Sequence, residues 1–279
     1  MRVFVTGSTG FVGSAVVKEL LSGGHEVLGL ARSDKGVEQL KGQGAEVLRG
    51  NIEDLQVLKK GASECDAVIH LAFIHNFADF AGSCATDRAA ITAMGSVLAA
   101  ADGDRALVVT SGTMMLAHGK LGDEDHEADM TNSMAAARGA SEPVCLDFAK
   151  KGVRTSVGVS AYVAEGHNRW CACHRDDAAK VYRLAVEKAK PGSIFHAVAE
   201  EGVPLKDIAT EVGKQLNIPV VSIASEEMED HFGWFHFGIT ADNEASSTKT
   251  RERLGWTPVC PSVIEDVPAI IDFLKSQAN

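Results

Sequence analysis

Thr6-Gly7-Ser8-Thr9-Gly10-Phe11-Val12-Gly13 decides how this chain is read. It follows the apolar run Val3-Phe4-Val5 and precedes a segment with apolar residues at Val12, Val16, Val17, Leu20 and Leu21, the spacing of a helix. A strand, a tight glycine turn and a helix in succession make a phosphate-binding arrangement. Gly7 permits the sharp turn, Gly10 lets the main chain approach a pyrophosphate, and Gly13 allows the helix to pack closely on the strand. The helix N-terminus adds free N–H groups and partial positive charge. The expected dinucleotide contacts in this stretch are Gly7, Thr9, Gly10, Phe11, Val12 and Gly13.

Outward from the turn, His25 to Ala31 reads as a second strand that completes a parallel βαβ unit. An acidic residue after this strand would bond the ribose hydroxyls of NAD. The chain instead has Arg32-Ser33, a cation and a hydroxyl suited to a 2′-phosphate. NADP is therefore the expected cofactor and NAD the alternative; Arg32 also reads as a solvated residue at a strand end. A short helix near Val37 to Lys41 leads to a third strand, Ala45 to Gly50. Asp66 to Ala72 is a nearly continuous apolar run, as a strand buried on both faces requires. Asp87 to Ala101 is an Ala-rich helix, and Ala106 to Thr110 is a fifth strand followed by Ser111-Gly112-Thr113.

The Gly-x-x-Gly-x-x-Gly spacing between Thr6 and Gly13, together with His70-Leu71-Ala72, resembles the extended short-chain dehydrogenase/reductases, including their nucleotide-sugar epimerase and dehydratase relatives. The resemblance implies a Rossmann-type α/β fold, a doubly wound parallel sheet with a smaller C-terminal substrate-side region. Residues 1–159 would form the dinucleotide-binding domain, and residues 160–279 would complete the sheet and the substrate cleft. It puts Asn51 and Ile52 beside the adenine, Leu71 and Ala72 along the ribose and pyrophosphate, and Thr110 at the cofactor end of the fifth strand. The active-site Ser of the family falls at Ser111; a one-residue slip would put Gly112 there and leave Thr113 as the hydroxyl. His70 reads as a packed strand histidine. His75, on the sheet rim, is either a proton-exchanging group or a solvated loop histidine. A homodimer is the expected assembly, through the helices after the fourth and fifth strands.

The family pattern fails at one point that matters for chemistry. Its dehydrogenases use Tyr and Lys four residues apart, the Lys lowering the phenol pKa. Here Tyr162 is followed four residues later by Gly166 and Tyr182 by Val186, so no such pair exists. Arg138 aligns with the Tyr and Glu142 with the Lys. Arg138 would be an electrostatic clamp for an oxyanion, or an i,i+4 ion-pair partner of Glu142. The sixth strand, Val153 to Val159, runs into Ser160-Ala161-Tyr162-Val163 without the family's Pro-containing loop. Glu165 to Trp170, His174 to Ala179 and Arg251 to Pro258 again resemble the family, with Val263 to Leu274 a terminal helix.

Composition narrows the function classes. The 279 residues suit one large α/β domain with an elaboration, and the net charge of -11 disfavours a broad basic surface for nucleic acid. No run approaches the ~20 apolar residues of a membrane span, and Met1-Arg2-Val3 opens directly on a strand, so a cytoplasmic protein is expected. Six scattered cysteines read as free thiols, and Cys171, Cys173 and His174 lack the second Cys pair of a metal site. The acidic stretch Leu121 to Ser133 reads as a solvated loop. Two functions follow. One is an NADP-dependent oxidoreductase acting on a small carbonyl or alcohol, with Ser111, Thr113, His75 and Arg138 as candidate catalytic residues. The other is a non-catalytic NAD(P)-binding sensor or interaction protein that has lost the Tyr-Lys site.

Overall fold

A computed structural model of the chain describes residues 1–159, 168–233, 238 and 240–278. Its centre is a parallel sheet whose strands are β1 (Arg2–Thr6), β2 (Glu26–Ala31), β3 (Glu46–Arg49), β4 (Ala67–His70), β5 (Ala106–Ser111), β6 (Arg154–Val159) and a later strand, Ser193–His196. Numbered in chain order, that strand is β8, because β7 (Arg169–Ala172) precedes it and pairs antiparallel with β9 (Glu200–Pro204) in a separate two-stranded sheet. The main sheet runs β3-β2-β1-β4-β5-β6-β8, with the order reversing between β1 and β4. This is the doubly wound Rossmann topology expected from the glycine turn. Ligands of such sheets sit beyond the carboxyl ends of the strands at the reversal.

The helices are α1 (Phe11–Ser22), α2 (Asp34–Gln43), α3 (Leu55–Ser63), α4 (Phe80–Ala100), α5 (Ser133–Gly139), α6 (Ser141–Leu146), α7 (Arg175–Lys188), α8 (Leu205–Leu216), α9 (Met228–Phe232), α10 (Thr248–Leu254) and α11 (Val263–Ala278). Alternation along β1 divides the core. Val3 and Val5 point to the face covered by α1 and α7, where Leu20, Tyr182 and Trp256 are buried. Phe4 points to the other face, against α3, α4 and α6, where Leu58, Met94 and Phe148 are buried. Each such side chain contributes about 1.5–3 kcal/mol by leaving water.

The C-terminal part is tied back by buried polar groups rather than by apolar area alone. The Asp177 carboxylate accepts from the N–H groups of Val259 (2.8 Å) and Cys260 (2.7 Å) and from Lys180 Nζ (3.0 Å). The acidic stretch after Leu121 is largely an exposed loop, but it departs from a solvated one at Glu124. Glu124 is buried and accepts from Thr250 N at 2.7 Å and Thr250 Oγ1 at 2.6 Å, while Lys249 bonds Asp123 and Asp125 at 2.7 Å each. The physical reason is the uncapped start of α10, whose first-turn N–H groups need an acceptor. Elements that periodicity did not reveal include α3, β9 and α9, and α4 begins seven residues before Asp87. Ser160 to Val163 and Glu165 to His167, read above as a strand continuation and a family segment, lie outside the described residues.

Candidate active site

Two clefts open at the carboxyl ends of β1, β4 and β5. The first is a trough of about 500 Å³ bordered by Gly7, Thr9, Gly10, Arg32, Asn51 and Ile52. Gly7 sits at φ +66°, and a Cβ there would stand 2.8 Å from both Ala72 N and Leu71 C; a Cβ on Gly13 would fall on the Gly7 carbonyl. The turn is thus wedged between β4 and α1 in a form only glycine fills. Gly10 caps α1 through its main chain alone, with no side-chain cap and no acidic residue in the first turn. The N–H groups of Phe11, Val12 and Gly13 have no partners within the helix and carry its positive end, which fits a pyrophosphate.

The remaining sequence-derived cofactor residues separate by what their side chains touch. Leu71 and Ala72 border the trough, and Arg32 stands exposed on its rim. Ser33 does not line it; its hydroxyl accepts from Gly36 N at 3.2 Å and caps α2. Asn51 Oδ1 accepts from Glu53 N (2.8 Å) and Asp54 N (3.1 Å), which leaves its amide N–H₂ as the donor for a ligand. The Phe11 ring packs edge-to-face on Phe273 at 5.1 Å with the Arg175 guanidinium over it, so its side chain binds the C-terminal helix to α1. Thr110 lies on the second cleft.

That second cleft, of about 310 Å³, shares Leu71, Ala72, Phe73 and His75 with the trough and extends past Ser111, Met115 and Met134. Ser111 Oγ donates to Glu142 Oε1 at 2.6 Å. Burial holds the Glu142 carboxyl above the ordinary carboxylate range, against the Ser111 hydroxyl and the Arg138 guanidinium, which favour its anion. Arg138 borders the cleft, but it forms no ion pair with Glu142: one nitrogen bonds Asp87 Oδ2 at 2.9 Å and another the carbonyl of Thr110. Asp87 is itself buried. Burial opposes its charge, yet His70 and Arg138 hold its pKa below the usual range. His70 completes this wall, with Nδ1 at 2.6 Å from Thr6 Oγ1 and Nε2 at 3.3 Å from Asp87 Oδ1.

Thr113 is not on the cleft. Its hydroxyl accepts from Asn243 Nδ2 at 3.1 Å and lies 3.2 Å from Cys171 Sγ, because the chain turns into a short 3₁₀ segment after Gly112 and carries that side chain inward. His75 is exposed and borders both clefts, with its ring against Phe73 and Phe77. Tyr182 is buried with its hydroxyl 2.8 Å from Thr110 Oγ1, and burial pushes the phenol up to about 12. It is a structural neighbour of the site. Burial likewise raises the buried Cys171 to about 11 and the half-buried Cys173 to about 12. Among the described residues no group of three or more His, Cys, Asp or Glu is arranged to hold a metal, and no helix is long and apolar enough to cross a membrane.

Sequence reasoning missed Glu142 as a partner of Ser111 because the two lie 31 residues apart and meet only when α6 packs on β5. The aromatic lining was missed as well; Phe73, Phe77 and Phe80, spaced four and three apart, are the signal that could have found it.

Sheet reversal, wedged glycine turn and a hydroxyl–carboxyl pair beside it together define a dinucleotide-binding Rossmann protein of the oxidoreductase type. Residues 3–192 match the family model described as the NAD dependent epimerase/dehydratase family, and the chain belongs to that family. Over its whole length it is similar to an uncharacterized protein, C2A9.02, of Schizosaccharomyces pombe, at 42% identity with 96% of this chain and 98% of that protein covered. That alignment spans 294 positions, while 96% of the 279 residues is about 268, so the relative carries about 26 residues without counterparts here. Among solved structures, UDP-glucose 4-epimerase of Thermotoga maritima, determined with UDP-glucose, superposes with a TM-score of 0.79 at 17% identity, covering 100% of both chains. UDP-glucuronic acid 4-epimerase of Bacillus cereus, determined with UDP-glucuronic acid and NAD, gives 0.79 at 16% identity, covering 99% of this chain and 100% of that one. A nicotinamide dinucleotide is the cofactor class that the cradle fits.

Proposed function

We propose that this protein is an NADP-dependent oxidoreductase of the short-chain dehydrogenase/reductase type that acts on a small carbonyl or alcohol, with Ser111 touching the substrate oxygen and Glu142 behind it as the proton store. The observation that carries this reading is the 2.6 Å Ser111–Glu142 bond on a cleft whose inner wall is also the wall of the dinucleotide trough. The bound cofactor supplies or accepts hydride at the substrate carbon. In the reducing direction Ser111 Oγ–H donates to the carbonyl oxygen and passes its proton as negative charge builds there. Burial shifts the Glu142 carboxyl toward its protonated form, and in that form it restores the Ser111 proton. His75, exposed at the rim, stands between the cleft and solvent. Arg138, engaged by Asp87 and by the Thr110 carbonyl, braces the end of β5 and adds positive potential without donating a proton. The preference for NADP rests on Arg32, and no carboxylate borders the trough among the described residues.

The experiment is an NADPH and NADH titration followed by a carbonyl screen on wild type and Ser111→Ala. NADPH should bind at least 10-fold more tightly than NADH, and Ser111→Ala should lower turnover by roughly 10²–10⁴-fold with NADPH affinity unchanged. NADPH binding without turnover of any carbonyl supports instead the non-catalytic nucleotide-binding reading, which the absence of a tyrosine on the cleft, among the described residues, also favours. Failure to bind either nucleotide refutes both.

A further inference from the structure

We infer that the cleft beyond Ser111 takes a compact, uncharged, aryl-bearing aldehyde or ketone, and that it is not built for a nucleotide sugar. The carbonyl in this statement rests on the proposed function above; the apolar occupant does not, because it follows from the walls.

One wall is a run of rings. Phe77 and Phe80 lie with planes 10° apart and centroids at 6.2 Å, Phe73 stands 6.0 Å from Phe80, and His75 bridges Phe73 and Phe77 at 5.4 and 6.1 Å. Ring faces and edges at these separations offer a planar ligand stacked or edge-on contacts. Beside Leu71 and Ala72, the apolar lining includes Met114, Met115 and Met134, unbranched thioethers that conform to an aromatic guest. These side chains come from three separate stretches of chain and converge on one space, so the apolar character belongs to the cleft as a whole.

Charge accounting among the described residues weighs against the larger class. A sugar diphosphate must be met by cations or by free N–H groups when it leaves water, and an unmet charge is expelled. Among the described residues Arg138 is the one Lys or Arg on this cleft. Its charge is already matched by Asp87 at 2.9 Å, one face of the guanidinium is covered by the Phe73 ring at 4.8 Å, and a further N–H is spent on the Thr110 carbonyl. Among the described residues, what remains for a ligand is the Ser111 hydroxyl, enough for one carbonyl oxygen, and the uncommitted ring of His75 at the rim. The space, about 310 Å³, is at the small end for ligand sites.

The test uses two probes, 4-phenylbutan-2-one and UDP-glucose, each titrated into the full chain saturated with NADP⁺ and followed by calorimetry, on wild type, Met115→Glu and Phe77→Ala. The ketone should bind wild type, weaken by at least 10-fold in Met115→Glu and severalfold in Phe77→Ala, while NADPH affinity stays at the wild-type value and certifies the fold of both variants. UDP-glucose should not bind. Ketone binding indifferent to both variants, or UDP-glucose binding that Met115→Glu abolishes, overturns the inference. NADPH oxidation separates the two readings: a ketone that binds as described but is not reduced upholds the apolar site and sinks the hydride-transfer proposal. Turnover confined to carbonyls on charged or sugar substrates does the reverse.

Discussion

Replacing Gly7 by Ala should damage the cofactor cradle and the fold by separable amounts. The new Cβ would stand 2.8 Å from Ala72 N and Leu71 C, about 0.6 Å inside the 3.4 Å at which ordinary contact begins, and these are main-chain atoms that cannot rotate away. The φ of +66° adds the cost of a left-handed conformation for an L-residue, ~1–2 kcal/mol. Overpacking against fixed backbone adds ~1–3 kcal/mol. At roughly 2 °C per kcal/mol for a chain of this size, the Tm should fall by roughly 4–10 °C. Relieving the contact pushes the turn away from β4, and with it the first N–H groups of α1. Loss of one hydrogen bond to a charged phosphate, ~1.5–3 kcal/mol, is a weakening of NADPH by about 10–100-fold. Gly24→Ala is the matched control: its φ is +79° but nothing lies within 4 Å of its Cβ, so it carries the conformational cost alone. Thermal melts and NADPH fluorescence titrations on both variants decide the matter. Should Gly7→Ala bind NADPH like wild type and melt no lower than Gly24→Ala, the wedge between the turn and β4 is not what shapes the cradle.

Three further outcomes follow from the same geometry. Glu142→Gln keeps an acceptor for Ser111 but removes the titrating proton. Because burial raises this carboxyl in the fold, its stabilising effect is complete below the unfolded pKa and is lost as pH rises through the folded one. The wild type should therefore lose Tm relative to the variant across that rise, and parallel Tm–pH curves would contradict a buried neutral acid. Arg32→Glu should weaken NADPH by more than 10-fold with little change for NADH, measured by competitive titration; equal losses would remove Arg32 from the 2′-phosphate. Asp177→Asn leaves the N–H groups of Val259 and Cys260 without their anion and should cost ~3–5 kcal/mol. Burial opposes the Asp177 charge, but the Cys260 N–H and Lys180 hold its pKa down. Its contribution is present above the unfolded pKa and lost as pH falls through the folded one, so wild type and variant should converge in melts taken in acid.

Local rules carried the reading of the fold a long way. The glycine turn, the β2 run ending at Ala31 and the continuous apolar β4 were each legible because strand burial on both faces leaves an unbroken hydrophobic signature. Residues Leu205 to Leu216 form the helix that their period announced. What stayed hidden depends on distance in sequence. Glu142 reads as one end of an i,i+4 pair until α6 is packed against β5, and Thr113 reads as a cleft hydroxyl until the 3₁₀ segment turns it toward Asn243. Glu124 sits in a stretch whose charge density signals solvent, and only the unmet N–H groups at the start of α10 explain its burial. Ser33 was read as a 2′-phosphate hydroxyl from its place after β2; its oxygen accepts from Gly36 N at the start of α2, a second use that only the fold shows.

The four residues shared by the two clefts divide the molecule's freedom to vary. On the trough side the demand is on main-chain shape, and glycine at 7 is dictated by the backbone of Leu71 and Ala72. On the other side the demand falls on side chains at 77, 80, 114, 115 and 134, which border that cleft, do not line the trough, and belong to neither buried cluster that holds the sheet. Descendants of this chain can trade one guest for another by point changes at those five places while inheriting the same nucleotide grip.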